Sequence, residues 1–561
     1  RINLSLERLH WIFKLTNQEE LYNSSTQLLL GTQYSIEGSS DMITALEPLV
    51  EYFKEFEPAL NFQSSTGTTT REYRTYLQKL EENSYKIQDS SYKVELAFGI
   101  IDKIDTSTFP KFAQDKILLL KDTSEQLYET LNPMADISSF LPNLLGVDER
   151  KRYLIFLQNE GEIRGTGGWI SSYAVLGLEG GQIRELYVDD VYNADGLLET
   201  QGKTYTAPQS MQNALDIENW SFSMVNWDPD LSNTMYAAEQ FIADMNKGND
   251  IDGLITIDIS FIQKLLDKWG GIEVPGETEI ITSNNLYSKI FEMHTSFTPG
   301  SSRKSTFLAS LADEVIKKIL SSDIEGYKEI AEVISESFNE KHLQATFKNT
   351  DAFNYMNTNN WAGSLETEYT GAPMAIDWNW GANKANLYIK RNHNLTVDIK
   401  DADQITFKYS ISIQNDSTKD EYPEGEYKNY LRIYLPLDAQ ILSIKGLKDN
   451  EYDIYEENSY KVVGGWFNIP IKQVETFEIT YKLKSEDNIH GFPLSIDGNN
   501  KELNLELFKQ SGTSQDAYKI DITYPDTWNV ISAENLNGIE NELTGRYNLS
   551  TNIPVNIGWG E

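Results

Sequence analysis

Apolar residues recur every three or four positions through the first 131 residues, and beyond them the pattern changes twice. Asn3–Leu30, Met42–Phe56, Arg71–Ile104 and Phe112–Leu131 each carry that spacing, which predicts four helices. In the longest, Tyr73, Leu77 and Leu80, followed by Leu96, Ile100 and Ile104, form a stripe that requires partner helices. Residues 1–131 are therefore expected to make a helical bundle or stalk, with the polar run 64–70 as a loop. Two prolines and a glycine mark 132–152 as a linker.

From Tyr153 strands and helices alternate, the pattern of an α/β domain over 153–385. Tyr153–Leu157 reads as a strand buried on both faces, and it breaks at the polar Gln158, Asn159 and Glu160. After Gly165-Thr166-Gly167-Gly168, strands are expected at Trp169–Leu178 and Ile183–Val188, joined by a turn at Glu179-Gly180-Gly181. An irregular stretch to about Asp230 leads to a helix capped by Ser232 and ending at Gly248. The strand Gly253–Ile257 follows, then a helix capped by Asp258 or Ser260 and stopped by Gly270-Gly271. Ile155, Val175, Ile255 and Ile257 should share one sheet, covered by the helices 232–247 and 260–269. Further helices are predicted over Ser305–Leu320 and Ile324–Asn339. From about Leu387 the period is two: Ile405, Phe407, Tyr409, Ile411 and Ile413 alternate without error, as do Phe477, Ile479, Tyr481 and Leu483. This predicts a β-sandwich over 386–485, with 486–561 either a second small β domain or the completion of the first. The fold class is multidomain α+β.

At 561 residues the chain has room for about three or four domains. Its 85 acidic against 48 basic side chains give a formal net charge of −37, a surface that repels nucleic acid and anionic lipid. The 31 tyrosines and 11 tryptophans argue for ordered cores. With no cysteine, disulfides, zinc–thiolate sites and cysteine nucleophiles are excluded. The histidines (His10, His294, His342, His393, His490) show no ligand spacing and are expected as surface or satisfied structural residues. No apolar run approaches the ~20 residues of a bilayer-spanning helix. The sequence nevertheless opens at Arg1 within a helical pattern, which predicts a membrane anchor or export signal upstream.

Candidate chemistry gathers at the carboxyl ends of the first and third strands of the α/β region. Glu160, Glu162, Arg164, Asp189 and Asp190 are expected near one sheet edge, and Asn159, Glu160, Glu162, Arg164, Gly167 and Gly168 form the candidate ligand-binding set. Arg164 is either an anchor for phosphate or carboxylate, or an ion-pair partner of Glu160, Glu162 or Asp190 that holds the turn. Asp189, Asp190 and Asp195 are either a hard-cation site for Mg²⁺ or Ca²⁺, or solvated loop acids. The glycine cluster offers a backbone nest for an anion, or close strand–turn packing. Trp220, Trp227, Trp361, Trp378 and Trp380 serve either as platforms for sugar rings or as core. No nucleophile elbow, P-loop or dinucleotide fingerprint is present.

YLIFLQNEGEIRGTGGWISSY, NWDPDLSNTMYAAEQF, IDGLITIDISFIQKLLDKWGGIEVPG, WAGSLETEY and IDWNWGANKANLYIKRN, in that order, resemble the bacterial domain-of-unknown-function 4012 family over roughly residues 150–485. The resemblance implies a membrane-anchored, outward-facing protein. The strand, turn and acidic strand end are also similar to LytR-CpsA-Psr enzymes. Those transfer glycopolymers from polyprenyl-pyrophosphate carriers to peptidoglycan with arginines on the pyrophosphate and aspartates on a metal. By position, that likeness implies catalytic roles for Arg164 and Asp190. Thr166 and Asn159 stand where aspartates are expected, and Asp189 where an arginine is. The resulting expectation is a cell-envelope surface protein with a binding or structural role, its partner a glycan, peptidoglycan or a neighbouring surface protein. The alternatives are a divergent glycopolymer phosphotransferase and an adhesin or surface-lattice subunit.

Overall fold

The computed structural model of the chain describes residues 10, 13–16, 18–55, 70–245, 250–295, 303–365, 371–447, 451–487 and 492–560. The predicted loop at 64–69 and the helix end at Gly248 lie outside them. The chain is mixed α+β, with a helical N-terminal region and several sheets towards the C-terminus. It divides into two compact units: residues 1–152, 176–186 and 349–355, and residues 153–175, 187–348 and 356–561.

The first unit carries the helices α1 (Glu19–Glu55), α2 (Thr70–Glu82), α3 (Ser84–Asp102) and α4 (Lys111–Leu144). Along α1 the buried positions Gly31, Ser35, Gly38, Met42 and Ala45 step by four and three, the seam of a coiled-coil-like contact. The facing seam on α3 is Ile87, Ser91, Val94, Ala97 and Ile101. Small residues let the two backbones approach: a methyl group on Gly38 would lie 2.9 Å from the Ser90 carbonyl oxygen. The predicted stripe is thus rotated, because Leu96 and Ile100 are only half-buried while Val94, Ala97 and Ile101 point inward. The single helix expected over 71–104 breaks at Asn83, whose amide donates to the Ala45 carbonyl at 3.0 Å.

The linker expected at 132–152 is mostly helix. α4 runs through Pro133 and Pro142 to Leu144, because Leu131, Ala135 and Leu141 pack with Met42, Leu46, Leu80 and Ile87, and that burial outweighs the lost backbone bonds. Beyond it, Gly146 takes a positive φ of 71° and its carbonyl accepts from Gly180.

The sheet β3-β2-β1-β6-β7, most of which belongs to the second unit, is made of β1 (Lys151–Asn159), β2 (Trp169–Glu179), β3 (Gln182–Asp190), β6 (Gly253–Ile257) and β7 (Leu343–Phe347). β1 and β6 are parallel, Ile155 opposite Ile255, and β7 is antiparallel to β6. Ile155, Val175, Ile255 and Ile257 share this sheet as expected. The intervening α5 (Val191–Thr200), α6 (Gln209–Leu215) and the ribbon of β4 (Tyr205–Thr206) and β5 (Asn219–Trp220) replace the predicted irregular stretch. On one face Leu154, Phe156 and Leu254 pack against α7 (Leu231–Asp244) through Met235, Ala238 and Ile242. On the other, Ile255 and Ile257 pack against α8 (Ile259–Trp269), α9 (Ser283–Thr295), α10 (Arg303–Leu320) and α11 (Ile324–Asn339). Period-two alternation along β6 therefore feeds two cores. α7 is capped by Asp230, which accepts from the Ser232 and Asn233 amides at 2.9 and 3.1 Å, and not by Ser232 as expected. α8 is capped by Asp258, accepting from the Phe261 amide at 3.1 Å.

The remaining strands are β8 (Met374–Asn379), β9 (Ile389–Asp401), β10 (Gln404–Asn415), β11 (Asn429–Pro436), β12 (Gln440–Lys445), β13 (Tyr452–Glu457), β14 (Tyr460–Trp466), β15 (Val474–Lys484), β16 (Leu494–Asp497), β17 (Asn500–Leu507), β18 (Asp516–Thr523), β19 (Asn529–Ala533), β20 (Asn537–Ile539), β21 (Glu542–Leu549) and β22 (Ile553–Gly560). They form the sheets β12-β15-β10-β9-β18-β21-β20, β13-β14-β11-β8 and β16-β17-β22-β19. Inward residues of all three, among them Phe407, Ile433, Leu505 and Ile520, share one apolar core. Strand pairing crosses both expected boundaries: β8 pairs with β11 across 385/386, and β18 runs parallel to β9 across 485/486. The last segment therefore continues the preceding sheet.

Candidate binding site

β1 ends where its apolar run gives way to Asn159, and the chain turns back at once. The Asn159 side-chain oxygen accepts from the Gly161 amide at 3.0 Å, its carbonyl accepts from Glu162 at 3.1 Å, and Trp169 donates to the Glu162 carbonyl at 2.8 Å. This folds the loop so closely onto the strand that a methyl group on Gly168 would sit 2.4 Å from the Asn159 carbonyl carbon. Gly167 has a positive φ of 133°. Close approach and backbone conformation thus account for the glycine cluster.

The turn presents Arg164 inward, 1% exposed. Its guanidinium donates to Glu162 at 2.6 Å, to the Ile163 carbonyl at 3.0 Å and to the Asn379 carbonyl. It stacks between two indoles, 4.6 Å from the ring centre of Trp378 and 5.1 Å from that of Trp169. Lys384 reaches the other Glu162 oxygen at 2.7 Å. Burial pushes the Glu162 carboxyl up, but Arg164 and Lys384 outweigh it and hold it below the usual carboxylate range. Burial lowers the Arg164 guanidinium against the pull of Glu162, yet arginine stays charged in proteins. The three groups are a buried ion triad.

The triad floors a cavity of about 260 Å³, with Asn159 beside it. Trp169, Tyr192, Phe291, Trp380 and Tyr422 wall it. Trp169 and Tyr192 meet with ring centres 6.0 Å apart, as do Phe291 and Tyr422. Burial, followed by Glu162, pushes the Tyr422 phenol up to about 12, and burial also raises Tyr192, so both hydroxyls stay neutral near pH 7. Trp380 is 38% exposed and lines the mouth, whereas Trp227 and Trp378 are core and Trp220 and Trp361 half-buried.

Of the predicted site residues, Asn159, Glu162 and Arg164 come together here. Glu160 is used differently: it accepts from the Ile259 and Ser260 amides at 3.1 and 3.0 Å and from the Ser260 hydroxyl at 2.7 Å, at the N-terminus of α8. Burial and the neighbouring Asp258 push its carboxyl up to about 7. Asp258 in turn meets His342 Nδ1 at 2.6 Å, so His342 is a partnered structural histidine. Asp189 accepts from Tyr187, from the Asp190 amide and from Asn193, both of the latter at 2.8 Å. Asp190 caps α5 by accepting from the Tyr192 amide at 2.9 Å, and Asp195 accepts from the Phe222 amide at 2.8 Å. Asp189 and Asp190 serve local turns, Asp195 holds a segment 27 positions further along the chain, and among the described residues no group of three or more acidic or histidine side chains could hold a metal ion.

Sequence reasoning missed Lys384, Trp169, Tyr192, Phe291 and Tyr422. The asparagine-rich NWGANKAN run carrying Lys384 was a usable signal: Asn379 bridges to the Gly381 amide at 2.7 Å and to Asn386 at 2.9 Å. Tyr192, Phe291 and Tyr422 have no local signature.

The model of a family described as a protein of unknown function, DUF4012, matches residues 148–292. No curated protein matches the chain. Among solved structures, lpg2210 from Legionella pneumophila is 7% identical over 34% of this chain and 70% of its own, with a TM-score of 0.22. Lin1025 from Listeria innocua is 15% identical over 40% and 85%, at 0.23. An M1 zinc metallopeptidase from Deinococcus radiodurans is 8% identical over 31% and 42%, at 0.19, so the chain spans less than half of that enzyme. At these scores the likenesses carry no inference about fold or activity. None of these findings supports the resemblance to LytR-CpsA-Psr enzymes.

Proposed function

We propose that this is an outward-facing protein of the bacterial cell envelope, held by an anchor outside the present sequence, whose aromatic pocket beside Arg164 binds a wall glycan. The finer domain reading, a helical stalk, a central α/β domain and a β-sandwich module, belongs to the same proposal. The observation that carries it is the pairing of a partly exposed indole, Trp380, with a polar floor of Asn159, Glu162, Arg164 and Lys384. Sugar rings need both: an apolar plate for their C–H faces and fixed donors and acceptors for their hydroxyls.

Transfer from a pyrophosphate carrier is the weaker reading. Such chemistry needs convergent cations free to meet several negative charges, and Arg164 is already committed to Glu162 and two carbonyls. The purified chain is expected to show no glycopolymer transfer with magnesium or manganese. It should bind soluble peptidoglycan fragments in calorimetry, and Trp380→Ala should weaken that binding roughly five- to tenfold by removing the stacking plate. Metal-dependent transfer, lost in Arg164→Ala at unchanged melting temperature, would overturn the reading. Surface labelling of intact cells tests the location.

A further inference from the structure

We infer that the pocket selects an acidic sugar, a ring unit bearing one carboxylate; this rests on the glycan reading above. Two cations, Arg164 and Lys384, share one carboxylate, Glu162, at 2.6 and 2.7 Å. Their side chains are 2% and 6% exposed, so water compensates neither well. An ammonium has three donors, and among the described residues the Lys384 side chain uses one, towards Glu162. The Arg164 Nε, also buried, has no acceptor among the described residues. A ligand carboxylate at the triad would bring its charge to zero and occupy the donors that Lys384 leaves open. Tyr192 and Tyr422, both protonated near pH 7, add no competing negative charge from the wall.

The surroundings limit the ligand from the other side. With a net charge of −37 the protein repels long polyanions before contact. A single acid on an otherwise neutral glycan escapes that repulsion and still meets the local cation.

Calorimetry with the full chain at fixed ionic strength tests this with N-acetylmuramic acid and glucuronic acid, their neutral counterparts N-acetylglucosamine and glucose, and inorganic phosphate. The acidic sugars should bind about tenfold or more tightly than the neutral ones, as expected for one charge-assisted hydrogen bond. Lys384→Met should erase that difference and Lys384→Arg should keep it. Should Lys384→Met fail to fold, the wild-type comparison alone decides. Equal binding of neutral and acidic sugars overturns acid selection and leaves the glycan reading standing. Binding of no sugar at all overturns both. Phosphate binding as tightly as the acidic sugars marks a simple anion site and also overturns the inference.

Discussion

Glu160 and Glu162 are two residues apart, both buried, and titrate in opposite senses. Glu162 faces two cations; its carboxyl is depressed, so its contribution to stability is present above the ordinary carboxylate value and lost on acidification. Glu160 faces Asp258 from a buried position and is pushed up to about 7. Its native form therefore holds a proton that the unfolded chain has released. The stabilisation from that proton is complete below about pH 4.5 and disappears as pH rises through about 7. Urea unfolding across that window should show a falling midpoint in wild type and a flatter profile in Glu160→Gln. An unchanged slope would remove Glu160 as the titrating group. Arg164→Ala should cost about 3 kcal/mol or more, because buried acceptors lose their donor and the indoles lose their filling. Arg164→Lys should recover little of it, since one ammonium cannot serve Glu162 and two carbonyls together. Melting temperatures of the two variants decide this. The Glu162–Arg164 pair was legible because both sit in one short loop. Lys384 was not, lying 222 positions beyond Glu162.

Two glycines in paired helices should respond oppositely to the same substitution. Gly38 in α1 faces α3 across a gap in which an added methyl meets the Ser90 carbonyl and a Val94 methyl, both at 2.9 Å. Gly99 in α3 would place its methyl in open space. Gly99→Ala should therefore raise stability by about 0.5–1 kcal/mol through helix propensity. Gly38→Ala should lower it by about 1 kcal/mol or more, as overpacking against backbone does. Thermal unfolding of the two variants provides the check, and stabilisation by both would mean that α1 and α3 do not pack through Gly38. The same seam explains what the helical pattern concealed. Several of its inward positions, Gly31, Ser35, Gly38, Ser91 and Ala97, are small or polar, so apolar periodicity pointed to the neighbouring face with Leu96 and Ile100. In β10 no such substitution occurs: Ile405, Phe407, Tyr409, Ile411 and Ile413 are all fully buried, and the strand was readable directly. Pro133 and Pro142 misled because proline reports a local cost and says nothing of the tertiary burial that exceeds it.

At the scale of the molecule, sequence pattern found the strands of the C-terminal half but not their partners. Period-two alternation identifies a strand's inward face; it carries no information on which other strand lies beside it. Residues 486–561 therefore read equally as a second small β domain or as the completion of the first. In the fold β9 is hydrogen-bonded on both sides, by β10 antiparallel and by β18 in parallel from Ala517↔Asn392 to Thr523↔Asp398. Leu503, Leu505, Ile520, Ile522, Val555, Ile557 and Trp559 complete the core begun by residues before 485. A chain truncated after residue 485 would expose the β9 edge and leave that core open. Each large apolar side chain removed from a packed interior costs roughly 2–5 kcal/mol, and several together exceed the 5–15 kcal/mol by which domains are stable. The truncated chain is expected to lose the near-ultraviolet dichroism of its packed tyrosines and tryptophans and to aggregate through the open edge. A soluble truncated chain with a cooperative melt and native-like near-ultraviolet signal would show that residues 486–561 are a separate module docked on a self-sufficient one, and that the parallel β9–β18 pairing adds nothing to the stability of the rest.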